Sequence, residues 1–397
     1  MHHSHVYGNI IQRGDLSSLN WFQGPLKPKD FAYDIVYSSV NFKDLMMITG
    51  RLPVELFGDK RIDHQCLFGF EFSGIERETG RRVMCCCGKA AMGSHVDGNT
   101  DIIVMYVPDN WSLKEAASVP VVYMTVYYAF FKSIQIQSGQ KILIHAGTGG
   151  VGLAAIRVAF AYGLDVYTTC STEEKKRFLL QLYPKLKPSH IGNSRDTSFE
   201  NMIMRETNGE GVDIVLNSLA EDKLLASLRC LGEDGHFLEI GKFDMSANNK
   251  IGLEGFLKKI TFRAILVDEL FKRTEKNTKI IAFLSNLIHR DIDRNFIQPL
   301  PVTDFPTYEL EKAMRHMVGG KHMGKVVVQI RDDHRNMLPV SVLPQVYFDA
   351  DLVYVIIGGL GGFGLELADW MVLRGARKLV ISSSRGFSNS YQKYRTQ

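Results

Sequence analysis

The sequence predicts an α/β protein built on a doubly wound parallel sheet and joined to a mostly β domain that the chain enters first. Three observations carry this. Between Lys141 and Leu266, apolar strand-like runs alternate with helical segments, the pattern of a parallel sheet covered by helices. A glycine cluster follows the first of those runs and opens a helix. Before them, everything up to Pro108 is short runs with partial alternation, punctuated by Gly and Pro.

In chain order, FAYDIVYSSVNF reads as strand in the first domain. From Trp111 the character changes: Ser112 with Glu115 three positions on is a capping-box pattern, so a helix starts there and runs into AASVPVVYMTVYYAFF. KILIHA, DVYTTC, VDIVLNS, HFLEIG and ITFRAIL are the strands of the parallel sheet. Helical stretches come after Glu269, then the strand KVVVQI, whose sheet the periodicity does not settle. RDDHRNMLPVSVLPQVYFDA, with two prolines and a charge cluster, reads as a linker. A second βα pattern begins with DLVYVIIGGLGGFGLELADW and ends soon afterwards, so the chain reads as part of something larger.

At 397 residues the length fits two to four domains, and 45% hydrophobic with 23% charged residues excludes disordered and collagen-like classes. A balance of 47 basic against 43 acidic residues, scattered along the chain, argues against nucleic acid as the main partner. Cys66, Cys85, Cys86, Cys87, Cys170 and Cys230 show no CxxC spacing, so zinc is disfavoured and a reduced, cytoplasmic setting is expected. The uncharged run from Ala116 to Phe131 is too short for a membrane span, and the N-terminal MHHSHVYGNI has no apolar core for a signal peptide.

The first glycine turn carries the chemistry. In KILIHAGTGGVGLAAIRVAFAYGLDVYTTC, Gly147, Gly149, Gly150 and Gly152 sit between a strand and a helix. Glycines let the backbone approach a pyrophosphate, and the helix N-terminus offers it free amides. The turn is therefore a candidate dinucleotide site. NAD sites place a carboxylate at the end of the second strand, where this chain has Cys170 and Ser171, then Lys175. A hydroxyl and an ammonium suit a 2′-phosphate, so NADPH is expected; the alternative is that Lys175 lies on a solvated helix face beside Glu173 and Glu174. The second turn, at Gly358, Gly359, Gly361, Gly362 and Gly364, lacks the downstream Tyr and Lys of short-chain reductases, so this stub carries no chemistry of its own.

Together, RGDLSSLNW, VYSSVNFKDLMMITGRLP, GFEFSG, KEAASVPVVYMTVYYAF, IHAGTGGVG, NSRDTSFE, VDIVLNSL, FLEIGKFD and GKHMGKVVVQI resemble the enoyl reductase region of the animal type I fatty acid synthase. The C-terminal IIGGLGGFGLELADWMVLRGARKLVISS resembles the start of the β-ketoacyl reductase in the same synthase. The resemblance implies a medium-chain reductase: a GroES-like substrate domain over residues 1–121, an NADPH-binding Rossmann domain over 122–265, a return to the substrate domain over 266–330, a linker over 331–350 and a truncated ketoreductase start over 351–397. The implied reaction is reduction of a trans-2-enoyl chain on acyl carrier protein, within a cytoplasmic, homodimeric synthase whose other modules are partners.

By the same resemblance, the pyrophosphate lies on Gly147, Thr148, Gly149, Gly150, Val151 and Gly152, and the 2′-phosphate among Ser171, Lys175 and Arg195. Asn41 and Thr125 would line the nicotinamide side, or else act as a cap and a helix hydroxyl. Lys242 in EIGKFD and Asp268 in ILVDELF match the family's candidate proton donors, with solvent as the rival; by sequence alone both read as surface charges. Two departures are informative. The loop MITGRLPVEL lacks the Tyr donor of bacterial polyketide enoyl reductases, which favours the fatty acid synthase branch, and Gly69, Phe70, Glu71 replaces the GHE of zinc-dependent members. His64 is then a structural or surface histidine, and in the stub the usual Ser-Arg pair, here Ser384 and Arg385, is displaced by one position. The alternatives are a free-standing quinone or enal reductase, and a non-catalytic NADPH-binding module.

Overall fold

The computed structural model describes residues 5–24, 31–52, 68–97, 101–272, 274–332 and 335–396. His64 and Cys66 lie outside them, as does most of the loop after the NFKD turn.

Two large sheets organise the chain. The first holds β3 (Phe31–Val40), β4 (Glu71–Glu76), β5 (Arg82–Cys87), β6 (His95–Asp97) and β7 (Ile102–Tyr106), together with two late strands, β14 (Val302–Pro306) and β15 (Lys325–Gln329). β15 pairs antiparallel with β3, Val327 facing Ser39, so chain from far downstream completes the early sheet. The period of two along β5 also accounts for three successive cysteines. Cys85 and Cys87 face one core and Cys86 the other, all of them buried thiols. Helix α1 (Phe42–Ile48) follows β3 and packs against α10 (Leu310–Val318).

The second sheet is parallel throughout, in the order β10 (Ile191–Asn193), β9 (Asp165–Cys170), β8 (Lys141–Ile144), β11 (Val212–Asn217), β12 (Leu231–Glu239), β13 (Thr261–Ala264). The chain starts at β8, winds outward through β9 and β10, then restarts on the other side at β11. The strand order reverses between β8 and β11, and such sheets bind ligands outside the carboxyl ends of the strands at a switch point of this kind. One face is covered by α3 (Pro120–Tyr127), α4 (Gly150–Ala161), α5 (Glu173–Leu182) and α9 (Glu275–Asp293), which bury Tyr123, Tyr127, Leu153 and Leu284. The other is covered by α6 (Ser198–Glu206) and α7 (Asp222–Arg229) over Phe199, Ile203 and Phe237. The expected start at Ser112 is present as α2 (Leu113–Ala116): the Ser112 hydroxyl accepts from the Glu115 amide at 3.1 Å, and the Glu115 carboxylate accepts from the Ser112 amide at 2.8 Å.

The reading of residues 331–350 as a plain linker needs correction. Val342–Leu343 forms β16, which pairs parallel with β2 (Leu19–Gln23) beside β1 (Val6–Ile10), and the Tyr347 hydroxyl donates to the Gln23 carbonyl at 2.9 Å. Prolines interrupt the segment without freeing it, because a two-residue strand needs few amides. Beyond it, β17 (Val353–Ile356), α11 (Gly362–Leu373) and β18 (Lys378–Ile381) form one parallel βαβ unit, followed by α12 (Ser390–Arg395). Its core is Ile356, Ala368, Met371 and Ala376, while Val353, Val355 and Ile357 are exposed. Among the described residues no helix is long and apolar enough to cross a membrane.

Candidate active site

The glycine turn lies where β8 meets α4. Gly149 caps α4 in an extended conformation, and a Cβ at Gly152 would sit 2.4 Å from the Ala146 carbonyl oxygen. A Cβ at Gly147 would sit 2.2 Å from the Thr168 hydroxyl. These glycines are thus required by close approach of the turn to itself and to β9. A Cβ at Gly149 would meet only the Ala146 oxygen at 3.3 Å, so that side of the turn is open to a ligand. Bare helix amides beside open space fit a pyrophosphate.

At the end of β9, Cys170 and Ser171 lead into α5, capped by Thr172. Lys175 turns back from α5, and its ammonium donates to the Gly320 carbonyl at 2.7 Å. Burial and the neighbouring Arg195 guanidinium lower its pKa. Arg195 arrives on the loop after β10, where the Ser194 amide bonds the Cys170 carbonyl at 3.0 Å. Two cations held close enough to repel are a place for an anion. The structure therefore brings Lys175 and Arg195 near each other, with Lys175 half-buried rather than fully solvated and Ser171 directly after β9 in the same stretch of chain.

The early sheet approaches the turn through Lys325. Its Nζ lies 2.5 Å from Glu71 Oε1 and 3.1 Å from Asn41 Oδ1, with the Lys325 and Glu71 side chains 5% and 0% exposed. Glu71 Oε2 accepts from the Val121 amide at 2.7 Å, and Asn41 Nδ2 donates to Glu71 Oε1 at 3.0 Å. The Gly324 amide donates to the Thr148 carbonyl at 2.8 Å, tying both sheets to the cofactor turn. Asn41 also caps α1 through a box with Asp44. The Thr125 hydroxyl donates to the Val121 carbonyl at 2.7 Å, within its own helix. Neither Lys325 nor Glu71 was singled out as a site residue by sequence. A charged residue at the head of a run of valines is the local sign of Lys325.

Lys242 and Asp268 meet at the carboxyl edge of the parallel sheet. Lys242 caps α8 (Phe243–Ser246), just after β12, and its Nζ is 2.5 Å from Asp268 Oδ2. Sequence reasoning missed the third member: Lys43 Nζ, from α1, reaches the same Oδ2 at 3.2 Å. Burial lowers the Lys43 pKa, and the nearby Lys242 charge adds to this. Burial alone would raise the Asp268 carboxyl, but the Lys43 and Lys242 ammonium groups outweigh it and hold it below the usual carboxylate range. Asp268 stays ionised between two cations. Just upstream, burial pushes Glu239 up to about 8, while its carboxyl accepts from Asn217 and from the Gly241 amide and so fixes the turn that presents Lys242.

Residues 186–328 match the family model described as zinc-binding dehydrogenase, and residues 353–397 match the KR domain. Over 390 residues, 95% of this chain, the sequence is 33% identical to the highly reducing polyketide synthase sphB of Aspergillus fumigatus. Over 372 residues, 91% of this chain, it is 36% identical to a highly reducing polyketide synthase of Didymella fabae. The chain spans 15% and 19% of these relatives' lengths. Among solved structures, the CurK enoyl reductase is 29% identical with a TM-score of 0.69, covering 82% of this chain and 99% of its own. Escherichia coli quinone oxidoreductase complexed with NADPH is 20% identical with a TM-score of 0.66, covering 82% of this chain and 99% of its own. The chain has the medium-chain dehydrogenase/reductase fold.

It joins a reductase region of that superfamily to the start of a ketoreductase domain, the arrangement found in fungal reducing polyketide synthases. The animal fatty acid synthase suggested by the motifs is not supported. NFKD, AGTGGVG and GKHMGK build the sheet edges and the nucleotide turn, which both kinds of synthase need, so they do not tell one acyl source from another. The matched family model is a zinc-binding one, yet among the described residues no group of three His, Cys, Asp or Glu side chains could hold a metal.

Proposed function

We propose that this chain is the enoyl reductase region of a reducing polyketide synthase, reducing the α,β-double bond of an enoyl thioester carried on acyl carrier protein, with NADPH as reductant. The observation that carries the reading is the Lys43, Asp268 and Lys242 cluster at the carboxyl edge of a sheet whose switch point holds the dinucleotide turn. Bound NADPH supplies a hydride for the β-carbon. The chain's own residues do the rest: the glycine turn and the α4 amides hold the pyrophosphate, Ser171, Lys175 and Arg195 hold the 2′-phosphate, and the Asn41, Glu71 and Lys325 network fixes the wall beside them.

Hydride addition puts negative charge on the thioester oxygen and α-carbon, so a nearby cation stabilises the enolate and a nearby acid completes the reaction. Lys242 offers both. Asp268, held ionised, is a poor proton source and serves as the counter-ion that orients Lys242. The appended ketoreductase start supports a carried substrate over a diffusible quinone. Steady-state NADPH oxidation with a crotonyl thioester and with a quinone tests this: preference for the thioester in kcat/KM is expected, and preference for the quinone refutes it.

A further inference from the structure

Lys43 has no task in the chemistry so far, yet its placement is specific. It projects from α1, part of the early sheet's domain, onto an aspartate that follows β13 of the parallel sheet. Its ammonium also lies 4.5 Å from the centre of the Phe70 ring. The other carboxylate facing it, Asp44 on its own helix, is already committed: one oxygen accepts from the Gly69 amide at 2.7 Å and the other from the Asn41 amide at 2.8 Å. Lys43, Lys242 and Asp268 side chains are 25%, 26% and 34% exposed, open enough on one side for a substrate to reach them.

We infer that Lys43 is a positioning residue for proton delivery, keeping one positive charge in excess in the cluster so that Lys242 can release its proton. The inference rests on the enoyl reductase reading above. With two lysines on one carboxylate the cluster carries +1 before the step. Hydride from NADPH forms the new C–H bond at the β-carbon, and the π pair of the double bond moves onto the α-carbon and thioester oxygen. An Nζ–H bond of Lys242 then breaks, its electron pair staying on nitrogen, and the proton bonds to the α-carbon. The cluster is left neutral as a Lys43–Asp268 pair, and water returns a proton to Lys242. Without Lys43 the same step would take a neutral pair to −1 in a partly desolvated site, which low local polarity opposes.

The test uses Lys43→Met and Lys43→Arg in the full chain. Carboxyl-carbon NMR titration of Asp268 without substrate reads the electrostatic coupling alone: its midpoint rises in Lys43→Met and stays near wild type in Lys43→Arg. With a crotonyl thioester, Lys43→Met loses kcat by about 10- to 100-fold, with KM for the thioester and for NADPH within about twofold and the alkaline limb of the kcat profile displaced. Lys43→Arg restores kcat. An Asp268 midpoint unmoved in Lys43→Met, a kcat loss without displacement of the pH limb, or an Arg variant that folds and behaves like Met overturns the inference. If Lys43→Met does not fold, Lys43→Arg and Lys43→Gln decide by the same readouts. Wild type that ignores the thioester would instead overturn the enoyl reductase reading, and the Asp268 titration would still report on Lys43.

Discussion

Lys325 and Glu71 show what a single buried pair contributes beside the cofactor turn. Both side chains are essentially enclosed, and each oxygen of Glu71 has a donor. Removing one partner strands the other charge in a dry site. Glu71→Ala or Lys325→Met should cost about 3–5 kcal/mol in denaturant unfolding, well above a surface substitution. Lys175 makes a different prediction, because the proposed function gives it the 2′-phosphate. Lys175→Ala should weaken NADPH binding about tenfold, or about 1.4 kcal/mol, and leave NADH binding unchanged in a fluorescence titration; equal losses for both would remove the phosphate role. Asp268 sets a pH dependence. Its pKa is depressed in the folded state, so its stabilising contribution is present above the unfolded carboxylate value and is lost as pH falls through the lower folded one. Thermal unfolding of Asp268→Asn against wild type should therefore show a deficit at neutral pH that shrinks in acid.

At the level of elements, the turn between β8 and α4 depends on missing Cβ atoms. Gly152→Ala would drive a methyl group into the Ala146 carbonyl, displacing the turn. NADPH affinity should fall by at least about tenfold, while the far-ultraviolet circular dichroism stays that of wild type. This turn, the helix start at Ser112 and the strand runs of the parallel sheet were legible because each is written locally, in glycines at close approach, a capping pair and unbroken apolar runs. The role of Lys43 was not legible. It meets Asp268 across 225 positions of sequence, and no local pattern says that a lysine in the first turn of α1 points at a loop after β13. For the same reason no local pattern tied Lys325 to its neighbours Glu71 and Asn41, which lie far away in sequence. The segment 331–350 misled in the other direction, since its prolines and charges marked irregular chain but said nothing of its docking on β2.

For the molecule as a whole, the chain passes twice between its sheets, out of the early sheet before α3 and back into it at β14. That return places Lys325 beside the cofactor turn, as the forward passage places Lys43 beside Asp268. The βαβ unit after residue 351 has a small core, its main cluster being Ile356, Ala368, Met371 and Ala376, and exposes Val353, Val355 and Ile357. Limited proteolysis should cut within it, leaving a product that retains NADPH binding; cleavage inside the parallel sheet first would contradict this. The motifs were enough to read the reductase fold and its nucleotide turn, but not the kind of synthase, because acyl source is not written in a nucleotide site. In the proposed reaction the hydride goes to the β-carbon of a thioester and the proton to its α-carbon. Turning over a crotonyl thioester with NADPH carrying deuterium at both nicotinamide C4 positions, and locating the label by mass spectrometry and NMR, tests this directly. One deuterium at the β-carbon of a saturated thioester and none at the α-carbon is the expected result. Label at the α-carbon, or NADPH oxidised without label entering the thioester, would contradict it.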